Sequence, residues 1–288
     1  MYFQPPTLDP GPVATVVALV LLAHCVVSPP LARSRAAARC RRGTGPHTTH
    51  HAESLRTGAW FLLFELLLVM AFVGTADGVS VADLGWSAPA PGDLPEPVLA
   101  LAGTVLVGGF LAHLLTLARS NGALLRRVRS GRPLPEEDWY RVLRLPGDRR
   151  GFRALAVGRA LVVLSDVLVV YTVLLPMMTL AFDSVPFVVT VLTLLLGWRH
   201  VGGGGETLWT QTLLALLGLL LYTLVLPGSV WGPVLVGAAH WAVVLATQRA
   251  LVGLPVPGRA RPLPEVRVTM LDADGKPVER PGGRAPGR

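Results

Sequence analysis

Residues 159–178 read RALVVLSDVLVVYTVLLPMM and, after a break around Asp183, residues 186–200 read PFVVTVLTLLLGWRH. Both are apolar runs on the length scale of a bilayer crossing, because about 20 helical residues cover a hydrocarbon core roughly 30 Å thick. The few polar residues inside them therefore carry the information. An ionised carboxylate at bilayer depth costs roughly 2.5–3.5 kcal/mol on insertion scales, so Asp166 requires a partner and marks a site. His200 closes the second run.

The rest of the 288-residue chain repeats this pattern. With 51% hydrophobic and 15% charged residues, the composition is that of a polytopic membrane protein rather than a soluble domain. Apolar runs cover about Pro12–Val27, Ala59–Thr75, Pro97–Leu117, Phe152–Met178, Val185–Trp198, Leu208–Leu226 and Ser229–Val252. The expected fold is an all-α polytopic membrane protein with about seven transmembrane helices. Its expected regions are an N-terminal membrane helix and basic loop (1–55), a transmembrane core (56–252) and a Pro/Gly-rich basic tail (253–288).

A net charge of +8 invites a nucleic-acid reading, but the arginines sit in connecting segments. Arg33, Arg35, Arg39, Arg41 and Arg42 follow the first run, and ten arginines from Arg119 to Arg153 follow the third. The segment with Asp77, Asp83, Asp93 and Glu96 between runs two and three has no Lys or Arg. This alternation is the positive-inside pattern, and it places the N-terminus outside and the C-terminus in the cytoplasm of a multi-pass cell-membrane protein. Membrane lipids are the expected surroundings, and no nucleic acid is expected.

No basic residue precedes the first run, so it reads as a retained helix rather than a cleaved signal peptide, ending at Ser28-Pro29-Pro30. Cys25 and Cys40 are too few for a disulfide framework. The HTTHH of residues 47–51 reads as a solvated loop, and Gly202–Gly205 lacks the lysine and hydroxyl of a phosphate-cradling loop. LPEEDWYRVL (134–143) reads as a short interfacial helix, and VRVTML (266–271) as a small hairpin strand or a disordered tail.

The polar candidates within the membrane are Glu65, Asp166, His24, His113, His200, His240 and Arg159. Arg159 and Asp166, seven residues apart, fall within about 20° of one helix face but about 10 Å apart along the axis. Asp166 must therefore find its partner on a neighbouring helix, with His200 or His240 the natural choices. Such a pair serves as a metal site, a proton relay or a structural hydrogen-bonded pair, and the residues alone favour the structural pair.

The order of features resembles the CAAX protease and bacteriocin-processing (CPBP) family of intramembrane metalloproteases, which includes the type II CAAX prenyl endopeptidases. That family carries EExxxR, FxxxH and HxxxN motifs on successive core helices. The resemblance runs from about Arg56 to Leu251. It is carried by GVSVADLGWSAP (78–89), LRLPGDRRGFRALAVGRALVVLSDVLVVY (143–171), LLLGWRHVGGG (194–204) and GLLLYTLVLPGSVWGPVLVGAAH (218–240).

Carried over residue by residue, the paired glutamates fall on Ser165 and Asp166 and the arginine on Val170. The phenylalanine of the second motif falls on Leu196, and its histidine is kept as His200. The third-motif histidine falls near Gly237 or Ala238, with His240 two or three residues later and Val244 four beyond that. The family mechanism, by resemblance, activates water with a glutamate, with histidines and a metal around it. Ser165 has no carboxylate with which to act as that base.

The resemblance thus implies a catalytically impaired homologue that binds or regulates membrane partners, such as a transmembrane or lipidated protein. The alternative it implies is an active metalloendopeptidase in which Asp166, His200 and His240 are catalytic and hold a divalent metal such as zinc. A third expectation is a small transporter or proton-relay protein using Glu65, His113 and Asp166.

Overall fold

The computed structural model describes residues 10–41, 47–76, 82–86, 95–132, 149–200 and 205–251. Every regular element among them is helical. They are α1 (Gly11–Arg41), α2 (His47–Thr75), α3 (Glu96–Arg129), α4 (Arg149–Val167), α5 (Val185–Arg199), α6 (Gly205–Leu220) and α7 (Trp231–Leu251). A short turn, Ala82–Trp86, lies between α2 and α3. The α4 rod continues through a π-helical stretch, Leu168–Leu174, into Leu175–Phe182, and α6 ends in a second π-helical stretch, Leu221–Val225.

Among the described residues five stretches are long and apolar enough to cross a membrane: Gly11–Leu31, Glu96–Arg129, Gly151–Phe182, Leu208–Val225 and Trp231–Leu251. Ala59–Thr75 and Val185–Arg199 are apolar but shorter. The regular structure of the described residues is thus all helical, with helices fit in length and composition to cross a membrane. At 15 residues, α5 is only about 22 Å long, short of a ~30 Å hydrocarbon core. Its terminal Arg199 and the following His200 consequently meet the middle of the Gly151–Phe182 rod rather than its end. That shortness positions the site.

The buried core gathers Leu21 and Cys25 of α1, Phe72 of α2, the Val169–Leu175 stretch of the α4 rod, Leu192 of α5, and Leu219 and Tyr222 of the α6 rod. α1 packs on α2 and α5, α5 on α6, and α7 on α3, α4 and α6. On α3, Leu101, Val105, Leu111 and Leu115 all point outward, as expected of a helix facing lipid. Each π-helical stretch ends two residues before a proline, Pro176 after the first and Pro227 after the second. A proline removes a backbone donor and clashes one turn back, and a widened turn relieves that clash.

Three expectations from the sequence are corrected. α1 does not stop at Ser28-Pro29-Pro30 but runs through both prolines to Arg41; the missing donors are a local penalty that the helix absorbs. HTTHH opens α2 instead of lying in a loop. α3 passes Leu117 to Arg129, because Leu124 and Val128 are buried and Arg126, Arg127 and Arg129 suit the negative end of the helix dipole. The segments LPEEDWYRVL and VRVTML lie outside the described residues.

Two close approaches tie the helices together. Gly85 adopts φ 79°, and its carbonyl accepts the Val230 N–H at 3.0 Å, docking the 82–86 turn on the connection into α7. A Cβ there would lie 2.5 Å from the Gly228 carbonyl oxygen, so only glycine fits. Asp183 takes the left-handed conformation (φ 47°, ψ 31°) and reverses the chain between the α4 rod and α5.

Gly197 lets α5 sit directly on Thr212 of α6, where any Cβ would overlap the threonine hydroxyl. Gly197→Ala is expected to lower stability in detergent by about 1–3 kcal/mol, the usual penalty of overpacking. Gly108→Ala, whose Cβ would meet nothing within 4 Å, is expected to leave the melting temperature unchanged.

Candidate functional site: a buried ion network beside a small cavity

The polar residues that the apolar sequence sets off fall into two clusters. The first centres on Arg199 at the end of α5. Its Nη2 donates to Glu65 Oε2 of α2 at 2.9 Å, its Nη1 donates to Cys25 Sγ of α1 at 3.0 Å, and its Nε lies 3.1 Å from Asp166 Oδ1 of α4. The Asp166 contact is an ion pair by distance but is off the hydrogen-bond axis, since Oδ1 accepts no aligned hydrogen bond. The Ser165 hydroxyl donates to Glu65 Oε2. The free oxygen of each carboxylate faces an imidazole: His24 Nε2 is 3.5 Å from Glu65 Oε1, and His200 Nε2 is 3.7 Å from Asp166 Oδ2. Next to it, Trp198 donates from Nε1 to the Val26 carbonyl at 2.9 Å, locking α5 onto α1.

The second cluster centres on His240 of α7, which is buried. Its Nδ1 is 3.2 Å from His113 Nε2 of α3, and its Nε2 is 3.5 Å from Gln211 Nε2 of α6. The tautomer that satisfies this geometry has the Gln211 amide donating to His240 Nε2, while His240 Nδ1–H donates to His113. Arg159 of α4 lies over the Trp241 ring, 4.3 Å from its centroid, a cation–π contact that shields its charge in an apolar setting.

Between the clusters lies a cavity of about 70 Å³. Its polar wall residues are Asp166, His200, Gln211 and His240, and the rest is apolar apart from Tyr171, whose hydroxyl is crowded against Gly218. The volume holds a few waters or a very small ligand.

The sequence-based candidates separate on this geometry. Asp166 and His200 come together as expected. His240 faces the same cavity but is bonded to His113 and Gln211 rather than to Asp166. Ser165, fully buried, is a donor to Glu65, and Val170 is fully buried in the core. The charges of this cluster come from Arg199, Glu65 and Asp166. Arg199 carried a readable signal only as a loop charge after span five, and Gln211 carried none.

A metal site built on Asp166, His200 and His240 does not fit these residues. The two Asp166 oxygens face Arg199 and His200, and both nitrogens of His240 are engaged. Among the described residues no group of three or more His, Cys, Asp or Glu side chains is arranged to hold a metal ion. No family model, curated protein or solved structure matches the chain.

Removing one member of a buried ion pair strands the other and typically costs about 3–5 kcal/mol, whereas replacing all members with neutral groups is far milder. Arg199→Met is therefore expected to destabilise the bundle by about that amount in thermal unfolding, and adding Glu65→Gln and Asp166→Asn is expected to restore most of the loss. An Arg199→Met protein within about 1 kcal/mol of the parent would mean that the network does not pin the helices.

Proposed function

We propose that this is a CPBP-like multi-pass membrane protein of seven helices, N-terminus outside and C-terminus cytoplasmic, that has lost protease chemistry and binds or regulates membrane partners. In this reading α2 and α5 complete the seven passes despite their short apolar stretches. One observation carries the reading. Asp166, the only carboxylate among the described residues lining the cavity, is ion-paired with Arg199 rather than free to activate water.

A general base has to be within hydrogen-bond reach of the water it deprotonates, and its charge has to be available for that proton. Glu65 is no substitute, because it is buried away from the cavity among Arg199, Ser165 and His24. What remains is a small cavity with an apolar wall and a few polar side chains, and a transmembrane or lipidated partner would dock on the outer faces of the bundle rather than inside it. The convergence of Asp166, His200 and His240 on one cavity favours the rival reading, an active endopeptidase using those three residues.

The two readings divide on a cleavage assay. Purified protein supplied with zinc and with prenylated or transmembrane peptides is expected to release no product above the level of Asp166→Ala and His200→Ala. Cleavage by the parent that both substitutions abolish would establish the protease and reject the non-catalytic reading.

A further inference from the structure

We propose that the cavity and its rim form a site for a zwitterion, a primary ammonium joined to a phosphate, as in a phosphoethanolamine group. The ammonium end enters the cavity against Asp166 and Gln211, and the phosphate stays at the rim on Arg159. The site does not depend on the family relationship or on whether the chain cleaves peptides.

Arg159 is an unmatched charge. It lies within the Gly151–Phe182 span and, among the described residues, has no carboxylate partner. The Trp241 ring beneath it supplies a face but no hydrogen-bond acceptor. An intramembrane cation so placed calls for an anion. Val163, one turn beyond Arg159 on α4, and Trp241 both line the cavity, so the guanidinium stands at its edge. Helical side chains tilt toward the helix N-terminus, here the end marked by the exposed Arg149 and Arg153, where lipid headgroups lie.

Inside the cavity the unused groups are acceptors. Asp166 Oδ1 faces Arg199, but Oδ2 is 3.7 Å from His200 Nε2, too far for a hydrogen bond. Gln211 turns its amide nitrogen toward His240, which leaves its carbonyl oxygen for a ligand. A carboxylate oxygen and an amide oxygen call for a cation with several N–H donors, which a primary ammonium has and a trimethylammonium lacks. About 70 Å³ admits such a group with its short carbon stem, whereas acyl chains remain outside the bundle.

Charge spacing selects the linker. Arg159 and Asp166 share one face of α4, about 10 Å apart along the axis. A charge-assisted hydrogen bond of about 2.8 Å at each end leaves about 4–5 Å between the ligand's own charges. An α-amino acid, with one carbon between its ionic groups, falls short of that. The ethyl phosphoester linkage of phosphoethanolamine fills it.

The test uses the full chain in detergent, with bound lipid counted by native mass spectrometry. It is titrated with phosphatidylethanolamine, phosphatidylcholine and phosphatidylglycerol, which share phosphate and tails but differ in headgroup. The parent is expected to hold one phosphatidylethanolamine at least about tenfold more tightly than either of the others. Arg159→Gln and Gln211→Leu are each expected to lower that affinity about tenfold, and Asp166→Asn to remove the preference over phosphatidylcholine. Gly108→Ala, on the open face of α3, is expected to bind as the parent does.

Free O-phosphoethanolamine separates the sources. Binding of the free compound, with the same dependence on Arg159 and Gln211, upholds the site as one for a soluble zwitterion; binding confined to the lipid upholds it as a headgroup site. Equal affinity for the three lipids without binding of the free compound would overturn the proposal. So would an ethanolamine preference that survives either Arg159→Gln or Gln211→Leu. Should Asp166→Asn not fold, those two variants, which lie outside the ion network, decide.

Discussion

The contact between the Arg199 guanidinium and the carboxylates of Glu65 and Asp166 is the constraint on which the arrangement of the bundle turns. Lipid surroundings make association of apolar helices nearly neutral, since tails solvate a leucine as well as another helix does. Directional polar contacts and close backbone approach then decide which helices meet. Here a single side chain reaches α1, α2 and α4 from the end of α5, Ser165 donates a further hydrogen bond to Glu65, and His24 and His200 stand beside the outer carboxylate oxygens at 3.5 and 3.7 Å.

That contact requires α5 to end inside the depth of its neighbours. A helix of ordinary spanning length would carry Arg199 past Asp166 to the bilayer surface, where a basic residue is cheap and uninformative. The 15-residue length, the left-handed reversal at Asp183 and the glycine seat of Gly197 on Thr212 together hold the guanidinium at mid-rod. The same shortness leaves room for the cavity, because α6 returns beside α5 and α7 closes the far wall with His240 and Trp241. Site and fold are thus one geometric outcome.

Much of the fold was legible in the sequence. Hydropathy located all seven apolar stretches, and the rule that a membrane carboxylate needs a partner pointed Asp166 to His200 or His240, of which His200 lies beside it while Arg199 is closer still. What was not legible depended on register between helices. Arg199 sits in a basic junction, where the positive-inside rule explains it fully and conceals its second role. Glu65 and His24 stood out as polar residues, but nothing in a linear string says that α1 and α2 face α5. The His113–His240 pair joins residues 127 positions apart, and its existence depends on how α3 and α7 slide against each other. The helix ends were misjudged where local signals were strongest, because the prolines of α1 and the polar HTTHH were outweighed by helix continuation.

Val170 and Ser165 carry no charge, and the charges of the network come from Arg199 of α5, Glu65 of α2 and Asp166 of α4. The result is a compensated, inward-facing arrangement in which the carboxylates serve packing.

The most direct test of this central role is a solid-state NMR distance in lipid between guanidinium ¹⁵N of arginine and side-chain carboxyl ¹³C of glutamate and aspartate, assigned by Arg199→Lys. Close ion pairing places each carboxyl carbon within about 4 Å of a guanidinium nitrogen, so strong dephasing from both Glu65 and Asp166 is the expected result. Absence of dephasing for either carboxylate in folded, membrane-embedded protein would contradict it.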